Sequence, residues 1–300
     1  MDLTQIRRIA CIGEVMIELS AAGADTARLG VAGDSFNTAV YLSRALRGTG
    51  AEVGYVTALG TDPWSDRIEA AIIGHGLTPV IERRADRGPG LYAIDTDAAG
   101  ERRFTYWRSA SAARTLFSDP CAVPLSALEG FDMIYLSGIT LAILPAPVRA
   151  ALIAWIDRYR AGGGAVAFDS NYRPRLWQDP AHARAAVAAL WARADVALPS
   201  LDDELALFGD AGEDAVLARL GLRRGAVKRG ARGPRDLGGA DLPDPPPAPR
   251  VVDSTAAGDS FNAAYLAALI RGQGPVAAAQ AGHALAARVI GAPGAILPDA

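Results

Sequence analysis

The sequence predicts an α/β fold in which helices cover a mostly parallel central sheet and a small β-sheet forms a lid. Short apolar runs typical of strands alternate with segments of helical periodicity along most of the 300 residues. This alternation breaks between residues 88 and 114, where two strand-like runs follow each other without a helix. Because strands separated by helices usually pair in parallel, we expect one parallel sheet covered on both faces.

Each element rests on its own pattern. Apolar or alternating runs predict strands at residues 9–12, 15–17, 53–58, 91–94, 103–107, 133–136, 165–169, 196–198 and 226–228. Helical spacing predicts helices at residues 34–47, 62–75, 146–160 and 180–192, and two alanine-rich helices from about residues 258 and 275. Asp34 or Ser35 is placed to cap the first helix, and Asp62 with Pro63 opens the second.

The lid is predicted from residues of about 14–33 and 88–114. Glutamates at alternating spacing flank the apolar run at its start, which indicates a strand that leaves the core for an exposed sheet. Residues 97–100 have the composition of a hairpin turn. No charge run or long linker divides the chain, so we predict a single domain of residues 1–300. An exposed lid sheet often pairs with a second subunit, so we expect a homo-oligomer through the lid.

The composition favours a small-molecule partner. The 30 basic residues nearly balance the 33 acidic ones, for a net charge of −3, so neither nucleic acid nor a membrane surface is an expected partner. Cys11 and Cys121 are too few for a disulfide framework. No segment has the pattern of an export signal or the length of a transmembrane helix. We therefore expect a cytoplasmic protein.

Residues 253–262 carry the strongest chemical signal. Small side chains at 256–258 would let a ligand approach the backbone, and the free N–H groups of a first helical turn favour a phosphate. Asp259 lies at the same helix start, where an acidic residue is also common for the helix dipole alone. Beside a phosphate site, its carboxylate can instead take the proton of a hydroxyl that accepts a phosphoryl group.

The sequence of this segment, Asp-Ser-Thr-Ala-Ala-Gly-Asp-Ser-Phe-Asn, resembles the C-terminal signature of the ribokinase-like carbohydrate kinases, also called the phosphofructokinase B family. The usual family signature is Asp-Thr-Thr-Gly-Ala-Gly-Asp-x-Phe. The resemblance implies a ribokinase-like three-layer fold, with Asp259 as catalytic base and the backbone N–H groups of Ala256, Ala257 and Gly258 as anion hole. Ala256 replaces the family's first glycine, so it must adopt a conformation that a Cβ tolerates. Alanine here is common in the 2-keto-3-deoxygluconate kinase branch.

The second family signature, near the N-terminus, resembles residues 33–39, Gly-Asp-Ser-Phe-Asn-Thr-Ala. Gly33 would let the chain approach a substrate, and Asp34 and Asn37 can bond sugar hydroxyls. A capped helix start is the structural alternative, and it is compatible with these roles.

Further segments are similar to the same branch, at residues 13–20, 106–113, 136–140 and 168–177. The resemblance implies that Tyr92, Tyr106 and Arg108 hold the substrate and that Arg173 faces the substrate or the transferred phosphate. Arg108 suits a sugar acid, because a guanidinium binds a carboxylate through two parallel hydrogen bonds. A solvated arginine on an edge strand is the default interpretation of Arg108, and a structural ion-pair partner is an equal alternative for Arg173.

The loop that follows the last predicted strand resembles the family's nucleotide loop. The resemblance implies that ATP contacts Asn171, Ser200, Lys228, Gly230, Gly233, Gly258 and His283. Ser200 and Asp203 stand where many relatives have Asn-x-x-Glu, a motif tied to magnesium and phosphate. Asp203 can act on Mg²⁺ through water, and a capped helix start explains the pair at least as well.

Together these features predict transfer of the ATP γ-phosphoryl group to the terminal hydroxyl of the sugar acid 2-keto-3-deoxygluconate, with ATP and Mg²⁺. The alternatives are a family kinase of a neutral sugar such as fructose and a non-catalytic sugar or nucleotide sensor. The sequence lacks Gly-x-x-x-x-Gly-Lys-Ser/Thr, and no Gly-x-Gly-x-x-Gly follows its first strand. These absences argue against a P-loop enzyme and a dinucleotide dehydrogenase.

Overall fold

The computed structural model describes residues 1–23, 25–96, 102–221 and 223–299. The helices are α1 (Asp34–Ala45), α2 (Pro63–Gly74), α3 (Gly138–Ile143), α4 (Ala146–Ala161), α5 (Pro180–Trp191), α6 (Leu201–Phe208), α7 (Glu213–Leu220), α8 (Ala257–Ile270) and α9 (Pro275–Val289). The strands are β1 (Arg8–Ile12), β2 (Met16–Gly23), β3 (Thr26–Ala32), β4 (Glu52–Leu59), β5 (Thr78–Arg83), β6 (Gly90–Thr96), β7 (Arg102–Trp107), β8 (Met133–Ser137), β9 (Ala165–Asp169), β10 (Val196–Ala197), β11 (Ala226–Val227) and β12 (Arg235–Asp236). Across these ranges, no helix combines the length and the apolarity that a bilayer crossing requires.

The central sheet has six strands in the order β10-β9-β8-β1-β4-β5, and every neighbouring pair is parallel. The prediction of a parallel sheet is therefore confirmed. Sequence analysis misses β5, whose proline and charged residues weaken its strand pattern. It also misses the six-residue helix α3, which is too short and too uniformly buried to show a helical period.

Alternate residues of the central strands face two separate apolar cores. Ile9 and Cys11 of β1 contribute to the core that contains buried residues of α1, α2, α8 and α9. Ala10 and Ile12 of the same strand contribute to the core formed with α3 to α7. Helices therefore cover both faces of the sheet, as its continuous apolar strands require.

The lid is a separate four-stranded sheet in the order β3-β2-β6-β7. β6 and β7 pair antiparallel from Leu91 opposite Trp107 to Thr96 opposite Arg102, so the predicted hairpin is confirmed. Its predicted turn at residues 97–100 lies outside the described residues. Burial along β2 falls from Met16, which is buried, to Gly23, which is exposed. This gradient agrees with a strand that leaves the core for an exposed sheet.

The helix predicted from residue 34 begins there, but its predicted cap is wrong. Gly33, and neither Asp34 nor Ser35, is the N-cap of α1, and no side chain caps this helix. The side chain of Asp34 bonds elsewhere in the candidate site described below. By contrast, the Asp62 carboxylate caps α2 as predicted, because it accepts hydrogen bonds from the backbone N–H groups of Trp64 and Ser65.

Candidate active site

Polar side chains from four elements meet at the carboxyl edge of the central sheet. Ser137 and Asp169 are the last residues of β8 and β9, while Asp34 and Asp259 lie in the first turns of α1 and α8. In an open α/β sheet, ligands bind beyond the carboxyl ends of the strands. The fold thus brings together the two signatures that resemble the carbohydrate kinases, at a place suited to a ligand.

Asp259 is the most buried of the predicted catalytic residues. Its carboxylate accepts a hydrogen bond from Asn37 Nδ2 at 2.9 Å, although 222 residues separate the two in sequence. Burial raises the pKa of Asp259 to about 8, and the nearby charge of Asp34 adds to this rise, whereas the Asn37 hydrogen bond and Lys228 oppose it. A carboxyl group with this pKa exchanges its proton near neutral pH, as a general base must.

Asp34 lies at the start of α1 but does not cap it. Its Oδ2 atom accepts hydrogen bonds from the hydroxyl of Ser137 and from Asn171 Nδ2, the latter at 2.9 Å. Asn171 has a positive φ of 27°, and its backbone N–H bonds to Asp169. Asn171, predicted to contact ATP, therefore lies between two carboxylates, with its side-chain amide bonded to one and its backbone to the other.

Lys228 occupies the centre of a buried polar network that sequence analysis does not predict. Its Nζ atom lies 2.9 Å from Asp169 Oδ1 and donates to Asn262 Oδ1 at 3.0 Å. Asn262 Nδ2 in turn donates to Asp169 Oδ2 at 2.7 Å and to the Tyr135 hydroxyl at 3.0 Å. One feature of the sequence does single out Lys228, which is the only lysine among the 30 basic residues.

The predicted anion hole surrounds the start of α8. Ala256 is the N-cap of this helix and has a left-handed conformation with φ 61° and ψ 14°. The left-handed conformation is one that a Cβ tolerates at a cost, which is about 1–2 kcal/mol for a residue such as alanine. The N–H group of Ala257 donates to the Ser254 carbonyl at 3.3 Å.

Gly258 lies next to the lysine at this helix start. A Cβ added to it would meet only the Lys228 side chain, whose Nζ atom would be 3.7 Å away. The packing of the described residues therefore does not require glycine here. A first-turn N–H group, a nearby ammonium and space for a ligand together fit a phosphate.

Close packing requires glycine at position 33, which sequence analysis does not predict. A Cβ at this position would lie 2.2 Å from the backbone oxygen of Glu14, which connects β1 to β2. Its backbone is extended, with φ 174°, so a special conformation is not the cause. Gly33 therefore lets the start of α1 pack directly against the base of the lid, whether or not it also contacts a ligand.

The three predicted substrate residues of the lid form one cluster. The ring centroids of Tyr92 and Tyr106 are 5.7 Å apart, and the Arg108 guanidinium lies 5.9 Å from the Tyr106 centroid. The Tyr92 hydroxyl donates to the carboxylate of Glu18, and Arg108 forms a buried ion pair with Glu14. Arg108 is 9% exposed, which corrects its interpretation as a solvated edge-strand arginine.

Tyr106 is the exposed member of this cluster, with 49% of its surface accessible. Partial burial raises its pKa, the charges of Arg108 and Arg173 lower it, and the charge of Asp34 raises it. These charge effects place Tyr106 within electrostatic reach of both Arg173 and Asp34.

Arg173 forms the ion pair that sequence analysis gives as one of its two alternatives. Its Nη1 atom lies 3.3 Å from Asp203 Oδ1, and Asp203 also accepts a hydrogen bond from the Tyr172 N–H group at 3.2 Å. The Arg173 side chain is 53% exposed and can still reach a ligand. Ser200 is the N-cap of α6, but its hydroxyl makes no capping bond, so the capped-helix interpretation of this pair is wrong for Ser200.

The predicted nucleotide loop contacts a proline-rich segment, residues 243–249. Gly230 and Gly233 have positive φ values of 59° and 75°, and a Cβ at Gly233 would lie 2.3 Å from Pro245. His283 on α9 lies 2.9 Å through Nε2 from the carbonyl oxygen of Pro246. The proline-rich segment therefore contacts predicted ATP-binding residues on both the loop and α9.

The described residues fit a magnesium ion only as part of a phosphate complex. Among them, no group of three or more His, Cys, Asp or Glu side chains is arranged to hold a metal. Burial raises the pKa of Asp203, and Arg173 opposes this effect. Asp169 is bound by Lys228 and Asn262. Mg²⁺ commonly uses one or two carboxylates with waters and substrate phosphates, an arrangement that this site permits.

Comparison with known proteins agrees with this geometry. The model of the pfkB family carbohydrate kinases matches residues 6–300. The chain belongs to this family. The 2-dehydro-3-deoxygluconokinases of Dickeya dadantii strain 3937 and Escherichia coli strain K12 are 46% and 44% identical to this carbohydrate kinase over 302 residues. In both cases the match covers 97% of this chain and 97% of the relative.

A solved structure, the fructokinase with bound ATP from Xylella fastidiosa, superposes on this carbohydrate kinase with a TM-score of 0.79 at 23% identity. The match covers 98% of this chain and 94% of that chain. This likeness supports the fold. The predicted family and the ribokinase-like three-layer fold with a β-sheet lid are therefore confirmed.

Proposed function

We propose that this carbohydrate kinase transfers the γ-phosphoryl group of ATP to the terminal hydroxyl of the sugar acid 2-keto-3-deoxygluconate, also called 2-dehydro-3-deoxygluconate. The relatives from Dickeya dadantii and Escherichia coli, which match 97% of this chain, bear the name of this reaction. The observation in the site that carries the proposal is Asp259, a buried carboxyl with a pKa of about 8 at a helix start suited to phosphate. An acid substrate is supported by Arg108 in the lid.

In this proposal Asp259 takes the proton from the attacking hydroxyl. Asn37 fixes the orientation of the carboxylate, because its amide donates to Oδ2 at 2.9 Å. The rise in pKa means that the ionised form is a stronger base than an exposed aspartate. Alignment of hydroxyl and carboxylate by a fixed hydrogen bond lowers the entropic part of the barrier.

The start of α8 receives the negative charge of the transferred group. The N–H groups of the first turn and the ammonium of Lys228 stabilise this charge electrostatically. When bound, ATP supplies the phosphoryl group, and Mg²⁺ neutralises charge on its phosphates. Asp203 and Asp169 are the carboxylates that can bind the ion through water, with their present partners retained.

The lid selects the substrate in this proposal. Arg108 binds the carboxylate of the sugar acid, while Tyr92 and Tyr106 border the same space. Asp34 and Asn37 face the hydroxyl groups. Closure of the lid would exclude water and limit hydrolysis of ATP.

The test is ADP release by the wild type with Mg-ATP and a panel of sugars and sugar acids, with the product identified by mass spectrometry. We expect that the enzyme turns over 2-keto-3-deoxygluconate rapidly and fructose very little. Turnover of fructose as the preferred substrate would support a neutral-sugar kinase. Binding of panel members without turnover would support a sensor and contradict the proposal.

Three further predictions accompany this function. The homo-oligomer through the lid, the cytoplasmic location and the organisation of residues 1–300 as one domain stay predictions. Light scattering of the wild type tests the predicted homo-oligomer. The comparison is Trp107→Ser, because Trp107 is a lid aromatic that is 58% accessible.

A further inference from the structure

The ion pair between Glu14 and Arg108 is only half formed. Arg108 Nη2 contacts Glu14 Oε2, yet Glu14 Oε1 and Arg108 Nε are both buried without a hydrogen-bond partner among the described residues. A guanidinium and a carboxylate can instead form two parallel hydrogen bonds. A buried donor without a partner costs about 1–3 kcal/mol. The pair is therefore not arranged for greatest stability, and only one hydrogen bond to Glu14 holds the guanidinium.

The pair lies where the lid joins the core. Glu14 is in the connection between β1 and β2, and Arg108 directly follows β7, so each marks a crossing of the chain between the two sheets. The Glu14 side chain has no exposed surface, and that of Arg108 is 10% exposed. The backbone oxygen of Glu14 also packs against Gly33 at the start of α1. Glu14 thus contacts Arg108 in the lid and also the start of α1, which carries the N-terminal family signature.

Gly90, the first residue of β6, makes room for this pair. A Cβ at this position would lie 2.7 Å from Glu14 Oε1 and 3.2 Å from Arg108 Cβ. Real Cβ atoms essentially never approach another atom to under 3.0 Å, so the carboxylate would have to move. The absence of a Cβ at Gly90 therefore leaves room for the Glu14 carboxylate, and also for Met16 Cγ, which would lie 2.9 Å from that Cβ.

We propose that Glu14 is a positioning residue for the substrate carboxylate. It holds Arg108 through Nη2 and keeps Nε on the buried side, so that the exposed tenth of the arginine side chain is the part that a carboxylate of the sugar acid meets. This inference rests on the proposed function, because it assumes that Arg108 binds the acid.

The test is a double-mutant cycle in the full-length protein. The four forms are wild type, Glu14→Ala, Arg108→Ala and the double variant, and each is assayed with 2-keto-3-deoxygluconate at saturating Mg-ATP to give kcat and the KM for this acid. We expect Glu14→Ala to raise KM for the acid about tenfold, with kcat and KM for ATP within about twofold of the wild type. In the Arg108→Ala background, Glu14→Ala should raise KM no further, because Glu14 acts through Arg108.

Two matched variants keep the test valid if Glu14→Ala folds poorly. Glu14→Gln keeps an acceptor oxygen for Nη2 and should retain part of the affinity for the acid. Gly90→Ala keeps both charged side chains, displaces the carboxylate and should raise KM in the same direction as Glu14→Ala. Glu52→Ala, an exposed carboxylate at the start of β4, serves as control and should leave KM unchanged.

The outcomes separate this inference from the proposed function. If the wild type does not phosphorylate the acid, or Arg108→Ala leaves KM unchanged, the proposed role of Arg108 and this inference both fail. If Arg108→Ala behaves as expected but Glu14→Ala raises KM equally in both backgrounds, only the inference fails. An unchanged KM in Glu14→Ala and Gly90→Ala would also overturn it.

Discussion

The start of α8 and the lid differ in how completely their polar groups are paired. Around α8, Asp259, Asp169, Lys228 and Asn262 bond to partners on elements far apart in sequence. In the lid, the Arg108 ion pair keeps an unused donor, and half of the Tyr106 surface is exposed. The difference indicates that hydrogen bonds already hold the reacting groups of the core in place, whereas the lid leaves half of Tyr106 accessible to a substrate.

This contrast predicts two classes of variant. Changes near α8 should affect catalysis or stability strongly, because the groups there are buried and bonded to one another. Changes at exposed lid positions such as Tyr106 should alter substrate affinity with little effect on stability, whereas breaking the buried Glu14–Arg108 pair should also lower stability. The expected effects below run from the largest to the smallest.

Asp259→Asn should lower kcat by about 10²–10⁴-fold, because the amide keeps the shape of the side chain but cannot accept the proton. The measurement is ADP release with saturating 2-keto-3-deoxygluconate. Asp202→Asn is a matched control, since Asp202 is an exposed aspartate in the first turn of α6. Full activity in Asp259→Asn would remove Asp259 as the base.

Lys228→Met should lower the free energy of unfolding by about 3–5 kcal/mol, because Asp169 would lose the cation that balances its buried charge. Denaturant unfolding of wild type and variant at pH 7 measures the change. Lys228→Arg tests the shape of the site, because a planar guanidinium does not replace a compact ammonium between Asp169 and Asn262. Wild-type stability in Lys228→Met would show that the network is not needed.

The stability difference between Asp259→Asn and the wild type should depend on pH. The pKa of Asp259 rises from 3.8 to about 8 on folding, so the wild type loses stability as pH increases through this interval. The asparagine variant does not titrate. Its advantage should therefore grow from pH 4 to pH 8, by at most about 1.4 kcal/mol per pH unit, and then level off. A constant difference over this range would contradict the raised pKa.

Tyr106→Phe should raise KM for the acid about 2–10-fold, as expected for loss of one neutral hydrogen bond. Since the ring is 49% exposed and its stacking is kept, the unfolding midpoint should stay the same. Steady-state kinetics and thermal unfolding measure the two effects. A lower midpoint with an unchanged KM would assign Tyr106 a purely structural role and weaken the comparison between lid and core.

Ala256→Gly should stabilise the protein by about 1 kcal/mol or less. Glycine relieves the left-handed strain, about 1–2 kcal/mol, but loses about 0.4–1 kcal/mol through the greater entropy of its unfolded chain. The activity should persist, because the backbone N–H groups are unchanged. Clear destabilisation in denaturant unfolding would show that the methyl group of Ala256 makes a contact that outweighs its strain.

Local patterns in the sequence predict much of the fold. The strand at residues 165–169 and the cap at Asp62 depend on neighbouring residues, and both agree with the structure. The cap of α1 is mispredicted because Asp34 bonds to Ser137 and Asn171, both distant in sequence. Local spacing carries no information about such partners.

The same limit applies to the candidate site. Resemblance to the family indicates Asp259 and Lys228, but not that Lys228 pairs with Asp169 or that Glu14 pairs with Arg108. These pairs depend on how β9 meets β11 and how the lid meets the core. The solitary lysine in an arginine-rich chain is the one sequence feature that singles out the network.

The most direct test of the account is the ratio of kcat/KM for 2-keto-3-deoxygluconate to that for fructose, measured with Mg-ATP in the wild type and Arg108→Ala. The control is Arg103→Ala, which replaces an exposed arginine on the preceding strand β7. We predict that the wild type prefers the acid by more than about 10²-fold, and that Arg108→Ala lowers this ratio about tenfold or more through KM for the acid. A wild-type preference for fructose, or a ratio unchanged by Arg108→Ala, would contradict the account.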